Sequence, residues 1–205
     1  MQIRGLRLIP IAGAMKRSET TKPAAGHALG DETQLPDGVS LFFSRQADEL
    51  NNALLQGFQL HAQDTDIRRT HLFNGRYENI YLNSEHVPEL QKLLAEAGAF
   101  ANQILGIDGL RAGCWFNHMP PGAITTLHSH DDGDELLSAV YYVSTPPNSG
   151  DLIIYERQRK FRITPKQGMF VFFAPDVRHE VSENLSEVDR LSIAINFGKP
   201  GLTVG

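Results

Sequence analysis

LLSAVYYVSTPPNSGDLIIYERQRKFRITPKQGMFVFF, residues 136–173, is the stretch on which the reading of the fold turns. Leu136–Val143, Asp151–Tyr155, Lys160–Ile163 and Met169–Phe173 are short runs that either alternate or are wholly apolar. Pro146-Pro-Asn-Ser-Gly150 and Pro165 to Gly168 separate them with residues that break regular structure. The same rhythm continues outward, to Ala112–His118 before the stretch and Arg190–Phe197 after it, with Pro120-Pro-Gly122 and Asn184 to Asp189 as further breakers. Several strands at this spacing predict an antiparallel sandwich or barrel.

Upstream the period changes. Ala47, Leu50, Ala53, Leu54, Phe58 and Leu60 form a helical stripe, with Ser44 as the expected cap and an end near Gln63. A second helix is expected over Val87 to Leu105, where Leu90, Leu93, Leu94, Ala97, Phe100 and Ile104 share a face, Ser84 and Glu85 precede and Gly106 follows. Residues Ala14 to Gly38 read as a long surface loop, and Leu6 to Ile11 as a strand; that loop and the segment Thr70 to Asn83 are candidates to cover a binding pocket, as substrate-gating loops do. Helices come first and strands second, so the helices are expected on one outer face of the β core. The fold class is mainly β with flanking α, in one domain over 1–205: a flank of strand, loop and helices at 1–108 and a β core at 109–205.

Composition sets bounds. A chain of 205 residues suits one domain, and 41% hydrophobic with 21% charged residues is an ordinary globular balance. A formal charge of -5 advertises no broad cationic surface, so no nucleic-acid partner is expected. Arg157, Arg159, Lys160 and Arg162 read as a solvated strand and turn. The lone Cys114 forms neither an internal disulfide nor a thiolate zinc site, which fits a reducing, cytoplasmic setting. No stretch is long and apolar enough to span a bilayer as a helix, and no membrane partner is expected.

Chemistry concentrates in His128, His130, Asp131, Asp132, Asp134 and Glu135, between a turn with a short strand and the strand Leu136–Val143. In extended chain, residues i and i+2 point to one side. His128 with His130, or His130 with Asp132, can therefore aim two ligands at one point, and His179, after Ala174-Pro-Asp-Val-Arg178, supplies a third. Two histidines and a carboxylate on one face of an octahedral ion leave three positions open, the pattern of non-haem Fe(II) oxygenases. Arg190-Leu-Ser192 puts a guanidinium and a hydroxyl on one strand face, a fork that suits the far carboxylate of a dicarboxylate cosubstrate chelating the metal. Tyr142, in phase with Ser138 and Val140, is placed to help hold that carboxylate. Asn196 falls in phase with Arg190, Ser192 and Ala194, and Asn117 lies on the strand carrying Trp115, so both are candidate substrate contacts, with Arg111, His118 and Trp115 as further ones.

In this order, Pro121-Gly122, His128 to Asp132, Ser138-Ala-Val-Tyr-Tyr-Val143, Ser149-Gly150, Pro165-Lys-Gln-Gly168, Met169-Phe-Val-Phe-Phe173, His179 and Arg190-Leu-Ser192 resemble the 2-oxoglutarate and Fe(II)-dependent oxygenase superfamily. The chain looks closest to a bacterial group of such oxygenases and is more distantly similar to prolyl hydroxylases. The resemblance covers Cys114 to Phe197. It implies a double-stranded β-helix, or jelly roll, with Fe(II), 2-oxoglutarate and dioxygen as cofactors. It further implies hydroxylation of a small-molecule or peptide substrate, with release of succinate and carbon dioxide. By the family pattern His-x-Asp, the ligands are His130, Asp132 and His179, while 2-oxoglutarate is held by Arg190, Ser192 and Tyr142. Distance from the Pro-Gly turn favours His128 as first ligand, which puts His130 at the carboxylate position; the bacterial group often carries such a His-x-His. His128 is thus the alternative ligand. Two other readings compete: a cupin-like metal enzyme that does not use 2-oxoglutarate, and a non-catalytic jelly-roll binding module. The oligomeric state stays open, a homodimer included.

Overall fold

The computed structural model describes residues 28–29, 35–130 and 133–200. The strand expected at Leu6 to Ile11, most of the loop expected at Ala14 to Gly38, and Asp131 and Asp132 lie outside the described residues. In chain order the elements are β1 (Ala28–Leu29), β2 (Ser40–Phe43), α1 (Ala47–His61), β3 (Arg68–Phe73), β4 (Arg76–Tyr81), α2 (Leu90–Leu105), β5 (Arg111–Met119), β6 (Thr125–His128), β7 (Glu135–Ser144), β8 (Leu152–Glu156), β9 (Arg159–Ile163), β10 (Met169–Phe173), β11 (Arg178–Val181) and β12 (Arg190–Gly198).

Two sheets form. The larger has the order β2-β10-β7-β12-β5-β4-β3 and is antiparallel throughout; the smaller has the order β1-β9-β8-β11-β6. From β5 onward the chain passes back and forth between the sheets, which is the winding of a jelly roll. Both faces of the large sheet are covered, and the period of two sorts its residues. Phe170 and Phe172 of β10, Tyr141 of β7 and Ile193, Ile195 and Phe197 of β12 pack against Leu50, Leu54 and Phe58 of α1 and Leu90, Leu93, Ala97 and Ala101 of α2. Their sequence neighbours Met169, Val171, Phe173 and Tyr142 point the other way and pack with Leu152, Ile154 and Ile163 between the sheets. This explains why Met169–Phe173 is apolar at every position. Buried inside the helical layer, the Tyr141 hydroxyl donates to Asn51 Oδ1 at 2.6 Å and ties α1 to the sheet.

The helix boundaries shift from expectation for local reasons. Gln46 occupies the N-cap of α1 and no side chain caps it. Ser44 instead donates to Glu96 of α2 at 2.8 Å, so it joins the two helices. Residues 87–89 are not helical, because Asn83 Oδ1 accepts the Glu85 and His86 N–H groups and holds a turn ahead of α2. Gly106 closes α2 in the left-handed region, φ 67°, as its position predicts.

The segment Thr70 to Asn83, expected as a loop over the pocket, is mostly a β-hairpin that extends the large sheet. Asn74 and Gly75 both have positive φ, 50° and 75°, between the paired residues Phe73 and Arg76. That is an Asn-Gly turn of the kind whose twist suits a two-residue hairpin. Arg76 pins the hairpin down by donating to the carbonyls of His118 at 2.8 Å and Ile124 at 2.7 Å.

Candidate functional site

His128 ends β6 and His179 lies in β11, which are neighbours in the small sheet. Their register sets the two residues directly opposite each other. His130 follows two residues later, and its backbone N–H donates to the Pro175 carbonyl at 2.8 Å, which anchors the chain just past β6 to the turn before β11. The three rings converge: centroids are 4.3 Å apart for His128 and His179, 5.0 Å for His128 and His130, and 5.2 Å for His130 and His179. One ring nitrogen from each lies within 4.8 Å of the others.

Tautomers follow from the hydrogen bonds. His128 Nδ1 lies 2.7 Å from the Thr126 carbonyl and His179 Nδ1 lies 2.9 Å from the Val177 carbonyl. A carbonyl only accepts, so each Nδ1 carries the proton and each Nε2 keeps its lone pair for a metal. Burial, reinforced by the neighbouring His128 and His130, pulls the His179 pKa down to about 3, so its ring is neutral near pH 7. Imidazole donors suit iron, zinc, copper or nickel better than magnesium or calcium. Among the described residues, the only cluster of three histidine, cysteine or acidic side chains that could hold a metal is this one. Asp132, the carboxylate in the expected set, lies outside the described residues.

The cluster opens on a cavity of about 480 Å³ between the sheets. Along β12, Arg190, Ser192, Ala194 and Asn196 line it, as their phase predicts. In the ladder, Ser192 lies between Tyr142 of β7 and Asn117 of β5, both of which also line the cavity. Arg190 is only 1% exposed. Its Nη1 donates to the Gly150 carbonyl at 3.2 Å, and its guanidinium carbon sits 5.2 Å from the Tyr142 ring centroid. Gly150 has φ 95°, and a Cβ there would run into the Ser182 carbonyl oxygen. The nearby Asp189 bonds His118 instead, at 2.7 Å.

Arg190 Nε and the Tyr142 hydroxyl are both buried without a hydrogen-bond partner among the described residues. Burial lowers the Arg190 pKa, against the opposing influence of Tyr142 and Asp151, and pushes the Tyr142 phenol up to about 12. A buried cation beside a phenol, both with donors to spare, is costly unless an acceptor joins them. A carboxylate supplies that acceptor and fits the donor geometry of the fork.

Two expected substrate contacts are not on this cavity. Arg111 sits at the far end of β5, donating to Asp134 at 2.8 Å and to the Lys199 carbonyl at 2.9 Å. His118 is out of phase with Trp115 and Asn117 and faces the helices, 5.4 Å from the Phe58 ring. Trp115 lines the cavity, its ring 5.7 Å from that of His130. The hairpin contributes His71, Glu78, Asn79 and Tyr81, which reading the chain did not single out. The Asn74-Gly75 pair is the signal that places them on a strand. Cys114 faces the helical layer, and burial raises its thiol to about 11, so it is an unreactive packing residue.

Comparison with known proteins agrees with this fold. Residues 114–198 match the 2OG-Fe(II) oxygenase superfamily. No curated protein matches the chain. Among solved structures, the fold is similar to a Pseudomonas putida prolyl-4-hydroxylase at 22% identity and a TM-score of 0.65, over 79% of this chain and 93% of that one. It is also similar to the carbocyclase SnoK from nogalamycin biosynthesis, described as non-heme and alpha-ketoglutarate dependent, at 14% identity and a TM-score of 0.65, over 87% and 92%. A third is the prolyl hydroxylase of Trichoplax adhaerens in complex with a hypoxia inducible factor peptide fragment, at 15% identity and a TM-score of 0.64, over 80% and 84%. The jelly roll is the fold of 2OG-Fe(II) oxygenases. The matched family implies Fe(II), 2-oxoglutarate and dioxygen, and the histidine cluster offers iron a site.

Proposed function

We propose that the chain is an Fe(II)- and 2-oxoglutarate-dependent dioxygenase that hydroxylates an amino acid, a protein side chain or another small metabolite, with release of succinate and carbon dioxide. The observation that carries this reading is the pairing, in one cavity, of converging imidazoles with a buried Arg190 Nε and Tyr142 hydroxyl that have no acceptor among the described residues. His128, His130 and His179 hold the metal; Arg190, Ser192 and Tyr142 take the far carboxylate of 2-oxoglutarate. Bound iron with dioxygen supplies the oxidising chemistry.

The chain's own contribution is orientation and exclusion of water. The Thr126 and Val177 carbonyls keep the His128 and His179 rings in the ligating tautomer. Gly150 and Met119 hold the Arg190 guanidinium in place before any cosubstrate arrives, so little order is lost on binding. Asn117 and Asn196 face the substrate side, and Asn196 Oδ1 accepts from Ser138 at 3.0 Å, which fixes its amide.

The test is Fe(II)-dependent conversion of 2-oxoglutarate to succinate by the purified chain, blocked by N-oxalylglycine. Metal-dependent turnover that proceeds equally well without 2-oxoglutarate would replace this reading with a cupin-like metal enzyme, which a ligand set of histidines alone also suits. Asp132→Ala separates the ligand sets. With the three histidines as ligands, iron affinity in this variant stays within a few-fold of the parent; with His130, Asp132 and His179, it collapses.

A further inference from the structure

A fourth histidine, His71 of β3, lines the cavity and stands exposed at its mouth. Its backbone departs from the strand around it. Thr70 pairs with Asn79 and Leu72 with Tyr77 across the hairpin, so a regular ladder would point His71 to the face opposite Asn79. His71 instead has φ 56°, a left-handed conformation that is costly for a residue with a β carbon. Its ring meets Asn79: Nδ1 lies 2.9 Å from the carboxamide Nδ2 and 3.0 Å from Thr70 Oγ1.

These contacts assign the tautomer. An amide nitrogen only donates, so His71 Nδ1 accepts and the neutral ring carries its proton on Nε2. His128 and His179 are set the other way, since backbone carbonyls keep the proton on Nδ1 and leave Nε2 its lone pair. One cavity therefore holds imidazoles prepared to ligate a metal and an imidazole prepared to donate a hydrogen bond.

The donor sits on the wall that leads to the cluster. Ile80 of β4 pairs with Phe116 of β5, which sets Tyr81 beside Trp115 and Asn79 beside Asn117. The Tyr81 and Trp115 rings are 6.1 Å apart, and the Trp115 ring is 5.7 Å from that of His130. Asn117 pairs with Ser192, and Ser192 with Tyr142. Three strand spacings of about 4.8 Å put Asn79 roughly 14 Å along the sheet from Tyr142. His71 thus stands apart from the cosubstrate clamp, on the side left to the substrate.

We propose that His71 selects the substrate, its Nε2–H donating to a carboxylate or carbonyl oxygen that the substrate carries, with Asn79 as the positioning residue that fixes the ring and its tautomer. This rests on the reading of the cavity as an oxygenase active site, since it names a group that the site's substrate must present. A site built to bond an acceptor rejects a molecule that lacks one.

Long-range proton–nitrogen correlation spectra of the nitrogen-15-labelled full chain read the tautomer at about pH 8, above the ordinary imidazole range. His71, assigned by its loss in His71→Phe, is expected in the Nε2–H form; the Nδ1–H form overturns the proposal. Trp115, the sole tryptophan, reports binding by its fluorescence. The full chain, loaded with Mn(II) and N-oxalylglycine, is titrated with hexanoate, hexanamide and hexylamine, the last of which has no acceptor. At least one acceptor probe is expected to saturate at about tenfold lower concentration than hexylamine, and which one tells carboxylate from carbonyl. His71→Phe is expected to bring the probes within twofold. Asn79→Leu is expected to mix the His71 tautomers and weaken the preference; an unmoved tautomer overturns the part given to Asn79. Equal binding of the probes, a preference that survives His71→Phe, or a flat response to all three overturns the proposal. The wild-type spectrum and contrast stand even if a variant fails to fold. Metal and N-oxalylglycine bound without an acceptor preference sinks the role of His71 alone. An acceptor preference in a chain that binds no metal sinks the oxygenase reading alone.

Discussion

The two faces of β12 differ in chemistry although they share one backbone. Leu191, Ile193, Ile195 and Phe197 face the helices, are 2% exposed or less, and pack into a dry layer with the phenylalanines of β10. Arg190, Ser192, Ala194 and Asn196 face the cavity, where Arg190 is as buried as the apolar residues yet has no partner for Nε among the described residues. One face is satisfied by its own protein. Among the described residues the other leaves Arg190 Nε without an acceptor, which a carboxylate has the chemistry to supply. On the proposed function the strand carries stability on one side and binding on the other, and substitutions on the two sides should fail in different ways.

The largest effect is expected at the metal. His179→Ala removes the ligand that pairs with His128 across β6 and β11, and should abolish iron-dependent succinate formation while the far-ultraviolet circular dichroism is unchanged. Activity retained in this variant would reject the site. On the opposite face, Phe172→Ala should lower unfolding free energy by about 3–5 kcal/mol in denaturant titration, because it leaves a cavity under α2. Its folded fraction should keep the parent's 2-oxoglutarate requirement; a changed requirement would mean the two faces are not independent.

Arg190→Met tests both sides of the contrast at once. It should raise the 2-oxoglutarate concentration needed for half-maximal turnover about a hundredfold, since a buried charge pair is worth roughly 2–5 kcal/mol. Without cosubstrate it should leave the thermal midpoint equal or higher, because a buried cation short of partners is replaced by an apolar side chain of similar length. A lower midpoint would show that the bonds to Gly150 and Met119 outweigh the burial cost. The smallest effect is expected at the hairpin, where Gly75→Ala should cost about 1–2 kcal/mol through its positive φ of 75°. Because Arg76 pins the hairpin to β5, metal affinity should not move; a change there would mean the hairpin shapes the histidine cluster.

Much of the core was legible from period alone. The phase of Arg190, Ser192 and Asn196 was readable, as were Tyr142 beside Val140 and both helical stripes, because alternation and the 3.6-residue repeat are local properties of the chain. The hairpin at residues 68–81 was not read. Its strands hold Arg68, Arg69, Arg76 and Glu78 among few apolar residues, so their pattern resembles a loop, and only Asn74-Gly75 betrays the turn. His118 and Arg111 were misjudged as substrate contacts for a related reason. Being on the right strand does not say which face, or which end of it, a side chain occupies.

The candidate metal site shows where the boundary falls. The order of residues set which side chains were available: histidines at 128, 130 and 179, and an Arg-x-Ser on a strand with one polar face. It also placed His128 and His130 on one side, since i and i+2 share a face in extended chain. That His128 meets His179 came from folding in three dimensions, because it depends on the register between β6 and β11, some fifty residues apart in the chain. Folding likewise decided that Arg190 turns inward beside Tyr142 and leaves Asp189 to His118. Local sequence sets the direction in which a side chain points; what it meets is set by the pairing of strands remote along the chain.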